Sequence, residues 1–339
     1  MLLGLVVGGL LVSPFVAFYL LLVKGADRYE PEPWWLLALV FGWGALGATI
    51  LGIAGNMVGE GVLALAMGIK NPLLAGMSAS IVAPIVEEST KGVGLLLIFG
   101  ISVLWLKEWD GPMDGAILGG IAGLGFTLTE DILYVAAEIA TSGVGGGIVL
   151  LFLRTVLAGL GHASFTAMTG LGLGIAVAAR KPILRLVAPV AGWLVAVGLH
   201  AFHNALVSFF GVRGLIVKLL AFWVVDVLFF VLLFLLALRD RETVRRGLAD
   251  EVGLLLDAHE VEGTTSYRML VPLWNFWRLS QGGVDRFRER RRKQLDLVEL
   301  AFLKDRRRRG ESDPELDRRE TALRDSLALA TAAGVSLAA

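Results

Sequence analysis

The chain has 339 residues, of which 56% are hydrophobic and only 18% are charged. Soluble domains are about 45–50% apolar and about a quarter charged, so this composition excludes a soluble enzyme and a disordered chain. There is no cysteine, which also excludes a disulfide scaffold and a thiol nucleophile. Residues 1–238 contain 11 Lys and Arg and 13 Asp and Glu, whereas residues 239–339 contain 20 Lys and Arg and 18 Asp and Glu. We therefore expect two domains: a transmembrane bundle at 1–238 and a charged tail at 239–339.

Seven apolar runs are long enough to predict membrane-spanning helices. In chain order they cover residues 2–23, 34–57, 73–106, 112–140, 147–179, 183–210 and 214–238. Pro84 predicts a kink or a break near Val86 in the third run, and a break there would give six or eight spans instead. The predicted fold is all-α: a polytopic bundle of about seven spans with a helical, charged C-terminal region.

Glycines four residues apart, as in Gly119/Gly123 and Gly170/Gly174, predict close packing of the helices within the bilayer.

The orientation in the membrane follows from Lys and Arg in the short loops. With seven spans, these cations in or beside the loops fall on one side of the membrane: Lys24, Arg28, Lys107, Arg180, Lys181, Arg185, Arg239, Arg241, Arg245 and Arg246. We expect a multi-pass protein of the plasma membrane, with its N-terminus outside and its tail in the cytoplasm.

The tail has apolar residues at helical spacing in 243–260 and 289–304. Glycines at 263, 282–283 and 310 separate these predicted helices. Basic runs at 290–293 and 306–309, and an aromatic stretch at 270–277, are suited to contact with the lipid surface, whereas a solvated helical hairpin is the simpler interpretation. Because acids interrupt the basic runs, no nucleic-acid partner is predicted.

Ionisable side chains inside apolar spans are costly and need a structural or functional reason. Within the predicted spans we single out a short set: Glu87, Glu88, Lys91, Glu130, Asp131, Glu138, Arg154, His162, His200, His203 and Asp226. At about 1.5 Å per helical residue, Glu87, Glu130, His162 and His200 reach similar depths from four different spans. A cluster of carboxylates and imidazoles suits the activation of water, or a metal with carboxylate and histidine ligands, and both lead to hydrolysis.

Four motifs follow one another on successive spans. They are E-E-x-x-K at residues 87–91, F-x-x-x-E at 126–130, G-H-A-S-F-T-A-M-T-G at 161–170 and H-x-x-x-N at 200–204. Together, in this order, they resemble the PrsW family of intramembrane proteases, which is distantly similar to the CAAX-prenyl-endopeptidase-like proteins. The resemblance covers about residues 1–240. It implies cleavage of a peptide bond in a membrane-protein or membrane-associated peptide substrate.

The resemblance also implies residue roles. The catalytic set would be Glu87, Glu88, Glu130, His162, His200 and Asn204, with Lys91 and Phe126 in support. A divalent metal such as zinc, if the reaction uses one, would have its ligands among Glu88, Glu130, His162 and His200. A founding role in the family is site-1 cleavage of an anti-sigma factor, and we do not transfer that substrate to this chain.

Several alternatives stay open at this point. The same intramembrane acids and histidines would suit a proton-coupled transporter, although the two halves of the chain show no internal repeat. A serine mechanism at Ser78 rests only on a common tetrapeptide. We expect His203 to serve packing and Arg154 to pair with Glu138, while Asp226 has either a pairing or a gating role.

Overall fold

The structure is a computed structural model that describes residues 2–102, 109–267, 276–277 and 280–337. The chain is 86% helical, and no strand occurs in these ranges, so the all-α prediction is confirmed. The predicted loop cation Lys107 and residues 270–275 of the aromatic stretch lie outside the described residues.

Six helices, numbered here in chain order, form the apolar part of the chain. Their bounds are α1 Leu2–Lys24; α2 Trp34–Met67, with a π-helical stretch Trp43–Ala48; α3 Leu74–Met77, π-helical Ser78–Val82 and Ala83–Ile101; α4 Pro112–Leu151, followed by π-helical Phe152–Val156; α5 Gly161–Ala178; and α6 Pro182–Leu248.

Within the part of the chain that the structure describes, four helical stretches are long and apolar enough to cross a membrane, which makes the chain a multi-pass membrane protein. They are Leu2–Lys24, Trp34–Met67, Pro112–Ala178 and Pro182–Glu251. The two longest bend at glycines whose backbone is not helical, Gly143 (φ 76°) and Gly211 (φ 55°). The segment Ala83–Ile101 is not among the four, because it carries Glu87, Glu88 and Lys91. Length and composition therefore do not establish the predicted seven spans.

Two local predictions need revision. The chain does not break near Val86: the irregularity lies before Pro84, in the π-helical stretch Ser78–Val82, and the helix continues through Ala83–Ile101. The predicted span 147–179 is also not one helix, because the α-helix ends at Leu151 and α5 begins only at Gly161. His162 consequently lies in the first turn of α5 rather than in the middle of a span.

Helix α4 is the central helix of the apolar part, and every residue from 112 to 127 in it is buried. It packs backbone to backbone on α5, because a Cβ at Gly119 would overlap Thr166 and a Cβ at Gly123 would overlap the carbonyl oxygen of His162. On the α5 side, Gly170 lies equally close to Gly115. The predicted glycine packing is confirmed, and it fixes the start of α5 against α4.

The chain divides into two compact units. The first, here called the bundle unit, contains Met1–Lys24 and Glu32–Leu233, and the second, the tail unit, contains Gly25–Pro31 and Phe234–Ala339. In the tail unit, leucines of α8 (Val284–Arg308) and α9 (Pro314–Ala332) form a hydrophobic core that includes Tyr29.

The predicted tail helix 243–260 is wrong. Helix α6 ends at Leu248, a 3₁₀ turn Ala249–Glu251 follows, and α7 (Ala258–Thr265) begins where Asp257 caps the amide of Glu260. Helix α7 also continues across Gly263, whereas Gly310, with φ 95°, follows the end of α8 as predicted.

Candidate active site

Glu88 is a buried acid whose two carboxylate oxygens are both occupied. Its Oε1 accepts hydrogen bonds from Lys91 Nζ (2.8 Å) and His200 Nδ1 (3.0 Å), and its Oε2 accepts one from Thr166 Oγ1 (2.9 Å). Because a carboxylate only accepts, the Nδ1 atom of His200 carries the proton. The Nε2 atom of His200 therefore presents a lone pair, as a metal-binding or proton-accepting imidazole must.

Glu87, the neighbouring acid, is buried but only half paired. Its Oε1 accepts a hydrogen bond from Asn56 Nδ2 on α2 (3.0 Å), while its Oε2 has no partner. The free Oε2 faces His200 Nε2 across 3.8 Å, a distance too long for a hydrogen bond. Two atoms with free lone pairs thus face each other across this gap of 3.8 Å. Buried polar atoms in proteins normally have a hydrogen-bond partner, so this pair is an exception.

His162 is held at both ring nitrogens. Lys91 Nζ lies 3.0 Å from Nδ1, and Glu130 Oε2 lies 2.8 Å from Nε2. Because the lysine ammonium only donates, Nδ1 accepts and Nε2 carries the proton that Glu130 accepts. The ring of Phe126 lies under the same ammonium, 3.9 Å from it, and 5.1 Å from the His162 ring. The two predicted supporting residues, Lys91 and Phe126, therefore both fix His162.

Glu130 and Asp131 share one arginine. Arg154 donates to Glu130 Oε2 from Nη2 and to Asp131 Oδ1 from Nε, each at 2.9 Å, and its guanidinium stacks 3.9 Å from the ring of Tyr134. The predicted pairing of Arg154 with Glu138 is wrong, because the bend of the chain at Gly143 and the irregular stretch 152–156 bring Arg154 back beside Glu130.

Asn204 lies on the cavity wall without touching the acids. Its Nδ2 donates to the backbone oxygen of Ala79 (2.8 Å), and its Oδ1 lies 3.1 Å from His203 Nδ1. The predicted catalytic amide is therefore engaged in holding α6 to α3 and in orienting His203. The His203 ring packs at 4.6 Å against Phe222, as a packing role requires. Asp226, whose role was open, accepts a hydrogen bond from Ser164 on α5 at 2.7 Å.

These side chains surround a cavity of about 300 Å³, at the lower end of the range for ligand sites. Its lining residues are Asn56, Ala79, Ala83, Glu87, Glu130, Tyr134, Arg154, His162, His200, His203, Asn204, Val207, Ser208 and Lys218. Glu88 and Lys91 lie behind this wall. Of the predicted catalytic set, five residues line the cavity and Glu88 supports one of them.

Three of these residues form a group able to hold a metal. One ligand atom each from Glu87, His162 and His200 lie within 4.8 Å of one another. This group differs from the predicted ligand set, since Glu87 takes part while the oxygens of Glu88 are used elsewhere. His162 would have to give up one of its two hydrogen bonds to coordinate an ion, whereas His200 Nε2 and Glu87 Oε2 need no such exchange.

The donor atoms fit a divalent cation in spacing and in charge. Zinc lies about 2.0–2.2 Å from nitrogen and oxygen ligands, so an ion fits between two atoms that are 3.8 Å apart. Four carboxylates and three cations lie at this cluster, Glu87, Glu88, Glu130 and Asp131 with Lys91, Arg154 and Lys218, so one negative charge is in surplus. The surplus of negative charge is what a divalent ion would balance.

A family model described as the PrsW family intramembrane metalloprotease matches residues 32–237. The match covers more than half of the chain and contains every residue of the cavity. The chain belongs to the PrsW family. No curated protein and no solved structure matches it. The predicted resemblance is confirmed, and membership makes the chain a membrane peptidase, whose substrates are membrane proteins within the bilayer.

Several cavity residues of this PrsW family member were not among the predicted set, and the polar ones include Asn56 and Lys218. Lys218 had a signal, because it is a charge inside the apolar run 214–238. Asn56 is an amide at the end of the run 34–57, and an uncharged polar residue at the edge of a span gives no comparable signal.

Proposed function

We propose that this PrsW family member is an endopeptidase that hydrolyses a peptide bond of a membrane-spanning substrate in the bundle-unit cavity. The observation that carries the proposal is the pair of facing atoms, Glu87 Oε2 and His200 Nε2. Both are proton acceptors at the wall of a cavity that also contains Arg154 and Lys218. Such a pair suits the binding and deprotonation of a water molecule.

In this proposal Glu87 is the general base. A water that donates its hydrogens to Glu87 Oε2 and His200 Nε2 turns its oxygen lone pairs toward the cavity. Attack on the substrate carbonyl forms the carbon–oxygen bond, Glu87 takes the proton, and the proton then passes to the leaving nitrogen as the carbon–nitrogen bond breaks. Asn56 keeps Glu87 oriented by holding its other oxygen.

The remaining predicted residues position this pair. Glu88 has no free oxygen with which to take a proton, so we assign it to the orientation of His200. Lys91 and Glu130 hold the two nitrogens of His162 in the same way. In hydrolytic and metal sites, a histidine usually donates one ring N–H to a carboxylate, as His200 does to Glu88 and His162 does to Glu130.

We propose as a second form of the reaction that a divalent metal, with zinc as the first candidate, would be held by Glu87, His200 and His162, which would then be ligands instead of contacts of a free water. A bound divalent ion would polarise the substrate carbonyl and lower the pKa of bound water. The support is the group of three donors, the free oxygen of Glu87 and the surplus of carboxylates.

We retain seven spans, an external N-terminus and a cytoplasmic tail in the plasma membrane as the proposed topology. The bends at Gly143 and Gly211 support it, because each divides a long helical stretch close to a predicted loop, 140–147 or 210–214. We also propose that 239–339 acts as a peripheral domain of its own. The separate hydrophobic core of the tail unit supports this.

The test is cleavage of a panel of single-span membrane proteins by the purified protein in vesicles. Glu87→Gln and His200→Ala are expected to lower the rate by on the order of 10³-fold without unfolding the protein. Glu60→Gln is the matched control, because Glu60 is an exposed acid of α2 outside the cavity.

A chelator arm decides the role of the metal. Loss of cleavage with a chelator, restored by added zinc, supports the metal, whereas unchanged cleavage supports a metal-free glutamate and histidine reaction. A wild-type protein that cleaves nothing, but conducts protons in a manner dependent on Glu87, would replace the peptidase by the transporter, which no present observation favours.

A further inference from the structure

Lys218 is a cation on the wall of the cavity, placed there by the bend in α6. After Gly211 the chain turns back, and Gly214 packs so closely on the preceding segment that a Cβ would overlap the backbone oxygen of Leu206. Lys218 follows Gly214 by four residues, so both lie on the same face of the helix. That face is directed at the first half of α6 and at the cavity, which Lys218 lines beside Ser208.

Lys218 differs from the other cations of the site in having no partner. Lys91 is bonded to Glu88, and Arg154 is bonded to both Glu130 and Asp131. Among the described residues, Lys218 forms no hydrogen bond and no ion pair. Arg154 repels its charge, while Glu130 and Asp131 attract it, and both carboxylates are already bonded to Arg154. A partly buried cation without a partner is costly unless a ligand supplies the opposite charge.

We propose that Lys218 binds a carboxylate of the substrate and thereby makes the peptidase selective for an acidic group near the cleaved bond. The inference rests on the proposed function, since it assigns a specificity residue to the same cavity. The group bound is anionic rather than a neutral carbonyl, because a lysine ammonium is a compact point charge that pairs most strongly with a full negative charge. Lys218 and Glu87 line the same cavity, so a carboxylate bound by Lys218 lies in the space where the reaction is proposed to occur.

A substrate carboxylate has two sources: the side chain of Asp or Glu, or a free C-terminus. The probes are single-span peptides with a fluorophore, identical except for Glu or Gln at one position, and each is made with a free acid or an amide at its C-terminus. The position of the Glu is moved along the segment that enters the bilayer. Binding to the full-length Glu87→Gln protein in nanodiscs avoids turnover.

We expect the Glu peptide to bind about tenfold more tightly than its Gln twin at one or two positions. Lys218→Met should abolish this preference, and Lys218→Arg should keep most of it. Arg213→Met is the matched control, because Arg213 is an exposed cation of the same helix outside the cavity. A preference that follows the C-terminal acid instead of the Glu side chain assigns the carboxylate to a free C-terminus.

Equal binding of the Glu and Gln peptides, or a preference that survives Lys218→Met, overturns the proposal. Cleavage of the Glu and Gln peptides by the wild-type protein is measured in parallel, and cleavage of either peptide tests only the peptidase reaction. If that cleavage is absent while binding still depends on Lys218, the proposed function fails and the carboxylate site stands.

Discussion

The bundle unit and the tail unit both bury charged side chains, but they satisfy them differently. In the tail unit, Lys293 and Glu260 are almost completely buried, and Lys293 Nζ donates to the Glu260 carboxylate and to the backbone oxygen of Val335 (2.7 Å). In the bundle unit, Glu87 keeps one buried oxygen without a partner, and Lys218 has no ion pair among the described residues.

The difference distinguishes a buried charge that only stabilises the fold from one that binds a ligand. A pair such as Lys293 and Glu260 is complete, so nothing further is needed to make it stable. The free oxygen of Glu87 is a cost that a folded protein retains only where a ligand, a water or an ion meets it. Burial alone therefore does not mark the active site; at Glu87 the distinguishing feature is an unpaired carboxylate oxygen on a residue that lines the cavity.

Lys91→Met is the strongest test of this comparison, because it removes the cation of a complete ion pair inside the bundle unit. Glu88 would keep a buried negative charge without its cation, which costs about 3–5 kcal/mol of stability. His162 would also lose the donor at Nδ1, so we expect cleavage to fall on the order of 10²-fold. Thermal unfolding in detergent and initial cleavage rates measure the two effects.

The double variant Lys91→Met/Glu88→Gln separates these effects. Removing both charges should recover much of the stability, while His200 and His162 still lack their supports and cleavage stays low. Recovery of cleavage together with stability would mean that Lys91 and Glu88 act only in folding.

Much of this site was predictable from the sequence, for a physical reason. Charged side chains are so costly in apolar helices that those at Glu87, Glu130, His162 and His200 had to gather at one depth. Four residues from four predicted spans do line one cavity. The all-α fold and the glycine contacts between α4 and α5 followed from composition and spacing in the same way.

The sequence did not predict which of the two acids lines the cavity, Glu87, and which supports His200, Glu88. Adjacent residues point about 100° apart on a helix, so only the neighbours decide which acid faces the cavity. Those neighbours, Asn56 and His200, lie 31 and 112 residues away along the chain. The break before His162 was missed because the segment 152–160 is as apolar as the helices beside it.

Gly123→Ala tests whether the backbone contact of α4 with α5 positions His162. A Cβ at this glycine would lie 2.2 Å from the carbonyl oxygen of His162, so the backbone at the start of α5 must move away from α4. We expect a roughly tenfold loss of cleavage, because small displacements of catalytic groups are costly. Gly145→Ala is the matched control, since a Cβ there meets open space. Equal rates for the two variants would exclude a positioning role for the contact.

Lys293→Met has the smallest expected effect on cleavage and so tests the other side of the comparison. Loss of this buried cation leaves Glu260 unpaired and should destabilise the tail unit by about 3–5 kcal/mol. The double variant Lys293→Met/Glu260→Leu should restore most of that stability, as expected for a complete pair replaced by apolar groups. Neither variant changes a residue of the cavity, so we expect initial cleavage rates within about twofold of wild type when the bundle unit remains folded. A loss of cleavage that parallels the unfolding of the tail unit would show that the tail unit controls the peptidase, and its complete ion pair would then belong to the function as well as to the scaffold.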